Sequence, residues 1–312
     1  MNLDLNNVLS AVYDLKYNPI TFDFAVFLGV VEQNRIFLKA SSIHLWIVTG
    51  EYRKKSLRDN FLSEDQKDWR VEHILIPLAR RLPSITQISI VPNLETRPTG
   101  YVLPLEFPVQ RVAPYVAAIT NELFTKKISP ICFEPSCHAL DIVRNLFQNK
   151  EIVSITIRDS EIFKHRNTSY EEIIKMVNGF IDLGIQPIII PDHDSFLIRR
   201  FPSELWPYLY PDAALDLDLR MAVASFSIMN FGPSNGPVAS LFLTKGVKIF
   251  QYDLLKSDHT GLGAVKGWEI TNGFAVGQTF PWAENGSRLR WIDYTAENVL
   301  SDFSNLFNLS GV

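Results

Sequence analysis

The hydrophobic positions of the first half of the chain fall into short apolar runs separated by segments of helical periodicity. Runs at residues 9–15, 43–48 and 87–91 are rich in β-forming side chains, which predicts three strands. The segments at 22–40 and 66–81 place apolar residues three and four positions apart, which predicts two helices. Strands alternating with helices in this order predict a parallel sheet with right-handed crossovers.

A second unit of the same kind begins near residue 150. The runs at 152–157, 187–190, 228–231 and 247–250 predict four further strands, again with helices between them. Residues 92–112 contain four prolines and predict a long connection rather than a regular element. The fold class is therefore α/β, and we expect two domains of similar size at 1–135 and 136–312. Helices are predicted at 113–124, 136–147, 170–183, 213–225, 236–243 and 295–307.

Composition and charge narrow the class of protein. The chain has 312 residues, of which 46% are hydrophobic and 21% charged, and this composition excludes a wholly disordered chain. The net charge of -4 gives no general preference for nucleic acid. The N-terminal residues show no signal peptide and no apolar run reaches membrane-spanning length, so any membrane contact would be peripheral. With only two cysteines, we expect a cytoplasmic protein.

Ligands of open parallel sheets bind beyond the carboxyl ends of the strands, so residues directly after each predicted strand carry most weight. The strongest such segment runs from residue 230 to 237, between a predicted strand and a predicted helix. Small residues there permit a sharp turn and close backbone approach, and a helix N-terminus would offer N–H groups to a diphosphate. A plain capped turn is the alternative. The predicted donor-binding residues of this segment are Asn230, Gly232, Pro233, Ser234, Asn235 and Gly236.

Two further strand ends carry charged residues. Arg158 follows the strand that opens the second half, where a guanidinium can grip a phosphate in bidentate fashion or pair with a nearby carboxylate. The basic stretch 164–167 after it either closes over a ligand or is solvated. Asp192 follows the strand 187–190, and we expect it to orient a sugar or ribose hydroxyl rather than a metal ion.

Acidic residues elsewhere have weaker signals. Asp216 and Asp218 lie two positions apart, so on a helix they would point in different directions, and we expect an exposed helix start there. Arg220 can face the cleft or pair with Asp216, and the ion pair is preferred. Asp14 ends the first strand and is our candidate general base, with a structural role equally open. For Asp23 helix capping is the preferred role.

At this point the sequence resembles the GT-B class of glycosyltransferases. The similarity extends over nearly the whole chain, and its most informative segment is MNFGPSNGPVASLFLTKGVKIFQYD, which resembles the GT-B element where a Gly/Ser-rich turn meets the diphosphate. Other similar segments are VYDLKYNPITFDF, IVSITIRDS, GIQPIIIPD and WIDYTAENVLSDFSNLF. Ala239 and Ser240 stand where many GT-B enzymes hold the ribose with an acidic residue. The histidine that many of them place near the first glycine-rich loop is also missing.

The resemblance implies two Rossmann-like domains with parallel sheets facing across a cleft, with the acceptor on the N-terminal side and the nucleotide-sugar on the C-terminal side. It implies transfer of a sugar from a nucleotide-activated donor to a hydroxyl of a glycan or lipid-linked acceptor in surface-polysaccharide synthesis. Neither a cofactor nor a catalytic metal is expected. Arg158 and the 232–236 segment would stabilise the departing diphosphate, and Asp14 would act as base.

Two alternatives stay open. A nucleotide-sugar epimerase on the same scaffold would act without any acceptor. A non-catalytic sugar- or nucleotide-binding subunit would bind tightly without turnover, and the departures from the GT-B pattern favour it somewhat.

Overall fold

The computed structural model describes residues 7–54, 60–104, 125–148, 150–160, 164–192, 201–254, 274–284 and 286–308. The chain divides into two compact units. Unit 1 comprises Met1–Glu134 with Ile270–Gly273, and unit 2 comprises Pro135–Glu269 with Phe274–Val312. The helix predicted at 113–124 lies outside the described residues.

Unit 1 contains a four-stranded parallel sheet in the order β3-β2-β1-β4. Its strands are β1 (Val8–Asp14), β2 (Ser42–Val48), β3 (Ile85–Val91) and β4 (Tyr101–Leu103). Leu9, Ala11, Ile43 and Leu45 are completely buried, as expected for inner strands of a parallel sheet. The first strand in the sequence is therefore an inner strand, with later strands on both of its sides.

The helices of unit 1 follow β1 and β2. Helix α1 (Asp23–Phe37) begins after Thr21, whose hydroxyl donates to the Asp23 carboxylate. A second helical stretch consists of α2 (Glu64–Arg70), a π-helical segment (Val71–Leu75) and α3 (Ile76–Arg80). Ser63 caps α2 in a reciprocal capping box with Gln66.

Unit 2 contains a five-stranded parallel sheet in the order β6-β5-β7-β8-β9. Its strands are β5 (Ile152–Thr156), β6 (Gln186–Ile190), β7 (Met229–Pro233), β8 (Ile249–Tyr252) and β9 (Arg288–Leu289). All five residues of β5 are buried, so the strand that opens this unit is also an inner strand.

Aromatic side chains fill much of the core between the unit 2 sheet and its helices. Phe180 lies 5.5 Å from Phe231 and 5.2 Å from Phe303, measured between ring centroids. The Phe180–Phe303 pair is edge-to-face, an arrangement that adds to the stabilisation from buried area alone. The helices of the unit are α4 (Cys137–Leu146), α5 (Tyr170–Asp182), α6 (Asp212–Leu215), α7 (Leu217–Phe226), α8 (Gly236–Leu241) and α9 (Ala296–Phe307).

Three local expectations differ from the structure. The single helix predicted at 213–225 is two helices, because Asp216 leaves the helical conformation and caps α7 by accepting from the Asp218 and Leu219 N–H groups. Gly232 and Pro233 belong to β7 rather than to a turn. The short strands β4 and β9 were not predicted, because two or three residues carry too little periodicity.

Candidate functional site

The carboxyl end of β5 is a topological switch point. From β5 the chain crosses to β6 on one side and afterwards to β7 on the other, so the loops that follow β5 and β7 diverge in opposite directions. Such divergence opens a crevice at the carboxyl edge of a parallel sheet, where ligands bind. Arg158 and the 232–236 segment follow these two neighbouring strands, so the structure brings the two main parts of the predicted donor site to one edge of unit 2.

The residues after β5 are buried and strongly hydrogen-bonded. Arg158 is only 7% exposed, and its backbone exchanges two hydrogen bonds with Thr168: the Arg158 N–H donates to Thr168 Oγ1 at 3.0 Å, and the Thr168 N–H donates to the Arg158 carbonyl at 2.8 Å. The Ser160 N–H donates to Asn167 Oδ1 at 3.0 Å. We call residues 158–160 and 167–170 the loop base, because these bonds join the two ends of the loop.

Asp159 is the centre of the loop base. Its carboxylate accepts from Asn167 Nδ2 at 3.2 Å and from the Tyr170 hydroxyl at 2.9 Å, while its backbone N–H donates to Asp192 Oδ2 at 3.1 Å. Three separate chain segments therefore meet at one buried carboxylate-bearing residue. The sequence pattern did not predict this role for Asp159, which is one of the carboxylates near Arg158 in the sequence.

The basic stretch after β5 reaches the segment after β7. Lys164–Arg166 form one 3₁₀ turn, and Arg166 Nη2 donates to the Ser234 carbonyl at 2.7 Å. This bond joins the two loops of the switch point and brings a second guanidinium to the edge that holds Arg158. The expected alternative of a simply solvated stretch is therefore wrong for Arg166.

Asn230 and Gly232 have roles inside the protein. Asn230 is 1% exposed; its Nδ2 donates to the carbonyls of Ala224 and Lys248, and its Oδ1 accepts from the Ser154 hydroxyl. A Cβ atom on Gly232 would lie 2.5 Å from Val238 Cγ2, so a larger residue would force this side chain to shift. The Asn230 side chain therefore binds within the protein, and Gly232 has no side chain that could contact a donor molecule.

The rest of the segment forms a capped strand–helix turn. Pro233 ends β7, and Asn235 caps α8 by accepting from the Val238 N–H at 2.9 Å. Gly236 begins that helix, which is only six residues long. Ser234 lies between them, and its side chain is partly exposed beside Arg166.

Asp192 and Arg220 lie together at the carboxyl end of β6. Arg220 is 2% exposed; its Nε donates to the Ala213 carbonyl at 2.9 Å and its Nη2 to the Pro191 carbonyl at 3.4 Å. Burial lowers the pKa of Arg220 to about 10, and the charge of Asp192 opposes that change. The expected ion pair with Asp216 is therefore wrong, because Asp216 caps α7. Asp218, expected to be exposed, accepts from the Ser136 N–H and hydroxyl.

Asp14 occupies the corresponding switch point of unit 1, since β2 and β4 lie on opposite sides of β1. It is the last residue of β1, and its Oδ1 accepts from the Lys16 N–H at 2.9 Å. Burial raises the pKa of the Asp14 carboxyl, an effect to which the charge of Glu51 adds and which the Lys16 N–H and ammonium oppose. A raised pKa favours proton transfer near neutral pH, as a general base requires.

A cleft of about 770 Å³ adjoins this strand end. Lys16 and Glu51 form an ion pair at 3.0 Å on its wall, and the Tyr52 hydroxyl donates to the Asp68 carboxylate. Its described lining includes Lys16, Glu51, Tyr52, Lys54, Glu64 and Asp68, with more carboxylates than ammonium groups. Mixed polar walls of this kind suit a hydroxyl-bearing ligand better than a polyanion.

Comparison with solved structures identifies the fold. The heptosyltransferase described as E. coli ADP-heptose lps heptosyltransferase II aligns with a TM-score of 0.56 at 10% identity, covering 97% of this chain and 98% of that chain. A glycosyl transferase family 9 protein from Veillonella parvula aligns with a TM-score of 0.58 at 9% identity, covering 99% of both chains. The fold is GT-B-like. The predicted class of two Rossmann-like units with parallel sheets is thereby confirmed.

The sequence comparisons add no family. No protein-family model matches the chain, and no curated protein matches it. Within the described ranges no helix is long and apolar enough to cross a membrane. In the same part of the chain, no three His, Cys, Asp or Glu side chains are grouped so that they could hold a metal ion.

Proposed function

We propose that the protein is a glycosyltransferase that moves a sugar from a nucleotide-activated donor to a hydroxyl of a glycan or lipid-linked acceptor. The observation that carries the proposal is the unit 2 switch point, where Arg158 and the bonded pair Arg166–Ser234 lie after the neighbouring strands β5 and β7. Arginine is the side chain best suited to grip phosphate oxygens. A fold shared with a heptosyltransferase that uses ADP-heptose supports this assignment.

Unit 2 would hold the donor. Arg158 and Arg166 would stabilise the negative charge that develops on the diphosphate as it departs, and the Ser234 hydroxyl and the backbone around 234–236 would add neutral hydrogen bonds. Groups fixed in advance around a developing charge contribute strongly to catalysis. The two guanidinium groups offer positive charge without a metal ion, and we expect transfer to proceed without one.

Asp14 would act as the general base. Its carboxylate would take the proton of the acceptor hydroxyl, whose oxygen forms a bond to the anomeric carbon of the donor sugar. The bond from that carbon to the diphosphate oxygen breaks, and its electron pair leaves with the nucleoside diphosphate. The raised pKa of Asp14 suits it to this step.

A thermal-shift screen with nucleoside diphosphates tests the donor site first. A ligand at a hundredfold excess over its dissociation constant stabilises the native protein by about 2.7 kcal/mol. We expect one nucleoside diphosphate to raise the midpoint of the wild-type protein selectively. Arg158→Ala should weaken its affinity about tenfold or more, because a charge-assisted hydrogen bond is lost.

Arg144→Ala provides the matched control. Arg144 lies in the same unit, on α4 rather than after a strand, and it is exposed and paired with Asp141. It should leave nucleotide affinity unchanged. Equal affinity in Arg158→Ala and wild type would overturn the site assignment. Turnover of the matching nucleotide-sugar only when an acceptor is present would separate a transferase from an epimerase, and tight binding without turnover would indicate a binding subunit.

A further inference from the structure

The carboxylate of Asp192 is hydrogen-bonded to another residue at the carboxyl edge of the unit 2 sheet. Its Oδ2 accepts the backbone N–H of Asp159 at 3.1 Å, so a residue that follows β6 holds a residue that follows β5. A carboxylate that accepts a backbone N–H forms a charge-assisted hydrogen bond, which is stronger than a neutral one. The Asp192 carboxylate thus binds a group of the protein itself, whereas a ribose ligand would bind a hydroxyl of the nucleotide.

The guanidinium of Arg220 is hydrogen-bonded to the residue that precedes Asp192. The guanidinium is buried, and two of its nitrogens are fixed by the carbonyls of Ala213 and Pro191. Its Nη1 makes no hydrogen bond within the described part of the chain. Burying a charge is costly unless an opposite charge lies near, and Asp192 is the carboxylate that acts on Arg220. The Arg220 cation therefore lies next to the residue whose carboxylate accepts the Asp159 N–H.

The Asp159 carboxylate continues the chain of contacts. It receives the Tyr170 hydroxyl from the start of α5 and Asn167 Nδ2 from the far side of the loop base. The Thr168 backbone then pairs with Arg158. Hydrogen bonds, joined by short stretches of backbone at 191–192 and 167–168, thus lead from Arg220 on α7 to the arginine proposed to contact the donor.

We propose that Asp192 and Arg220 are positioning residues that fix the loop base through Asp159, and that they set diphosphate affinity without touching the nucleoside. The part of this inference that concerns diphosphate rests on the proposed function; the part that concerns the loop base does not. This role replaces the one expected from the sequence, in which Asp192 orients a sugar or ribose hydroxyl.

Hydrogen exchange in the ligand-free protein tests the structural part. Asp192→Ala should speed exchange of the backbone amides at 158–160 about tenfold, because the charge-assisted bond to Asp159 is lost. Asp192→Asn keeps an oxygen that can accept the same N–H. Its exchange rate at 158–160 should lie between those of the wild type and Asp192→Ala. Asp182→Asn, an exposed carboxylate in the same unit, should match wild type. Unchanged exchange in Asp192→Ala would overturn the inference.

Binding of three probes tests the diphosphate part. The probes are inorganic pyrophosphate, the nucleoside diphosphate that wild type prefers, and its 2′,3′-dideoxy form. Positioning predicts that Asp192→Ala weakens all three by one common factor. Weakening confined to the probe with ribose hydroxyls would identify a ribose ligand and overturn the inference. Wild-type protein that binds none of them would instead contradict the proposed donor site, and the exchange experiment would still decide the role of Asp192.

Tyr170→Phe keeps the experiment decisive should Asp192→Ala fail to fold. It removes only the hydroxyl that donates to Asp159 Oδ2 and retains the ring, which packs against Phe201 at 5.6 Å. Faster exchange at 158–160, together with an equal loss of affinity for the three probes, would support the role of Asp159 through its contact with Tyr170 instead of Asp192. No change in either measurement would show that Asp159 does not fix the loop base.

Discussion

In both units the first described strand lies inside its sheet, with later strands on both of its sides. β1 and β5 therefore each end at a switch point. At the end of β5, two arginines and a closed set of hydrogen bonds occupy the edge. At the end of β1, Asp14 adjoins an open cleft with paired charges and an excess of carboxylates. The topology is the same, but one edge suits an anion and the other does not.

Under the proposed function, topology would fix where a ligand binds, while the residues in the first few positions after the strand would fix what kind of ligand it is. A cationic edge in unit 2 suits a diphosphate. A polar edge with a carboxylate of raised pKa in unit 1 suits a hydroxyl that must lose its proton.

Replacing the carboxylate of unit 1 should have the largest effect. Asp14→Asn removes the proposed base and should lower kcat by about 10²- to 10⁴-fold, while the affinity for the nucleoside diphosphate stays unchanged. Steady-state kinetics and nucleotide titration on the same preparation measure both quantities. Asp23→Asn, which alters a carboxylate in the first turn of α1, is the control. If Asp14→Asn lost nucleotide affinity as well as kcat, the proposal that unit 1 supplies the base and unit 2 holds the donor would be contradicted.

Two glycines allow a comparison of stability at the two edges. Gly232→Ala should cost about 1–3 kcal/mol, because the new Cβ would meet Val238 Cγ2 at 2.5 Å and Thr156 Cβ at 3.1 Å. Adding Val238→Ala should recover part of that loss. Gly50→Ala in unit 1 would place its Cβ 2.0 Å from the Pro92 carbonyl oxygen, which no side-chain truncation can relieve. Urea unfolding of the single and double variants measures each effect, and full additivity of the Gly232 and Val238 variants would contradict the contact.

The smallest effect concerns pH. Because burial raises the pKa of Asp14, the acidic limb of kcat/KM should lie above the range of an ordinary aspartate. Lys16→Met should move that limb to higher pH, since a positive charge that favours the carboxylate is lost, and Glu51→Gln should move it to lower pH. Both shifts should be small, because exposed charges are screened by water. A pH profile that stays the same in both variants would show that the acidic limb does not report the titration of Asp14.

The sequence predicted the strands well because parallel inner strands are continuous apolar runs, as at β5 and β6. The order of the strands was not predicted; the GT-B resemblance alone placed Arg158 and the 232–236 segment at one diphosphate, and the strands that carry them are neighbours. The partners of individual side chains could not be predicted. Asn230 binds backbone carbonyls on α7 and near β8, and Arg220 binds carbonyls at Ala213 and Pro191. Such contacts depend on how elements pack, and no spacing along the chain encodes them.

The inner position of β1 has a consequence for synthesis on the ribosome. Domains fold as units while the chain emerges at about 5–20 residues per second. β1 emerges well before its neighbour β4, which begins only at Tyr101. One side of β1 must therefore wait on the order of ten seconds for its partner. During that interval the nascent chain exposes an unpaired apolar strand edge, which can pair with a strand of another chain.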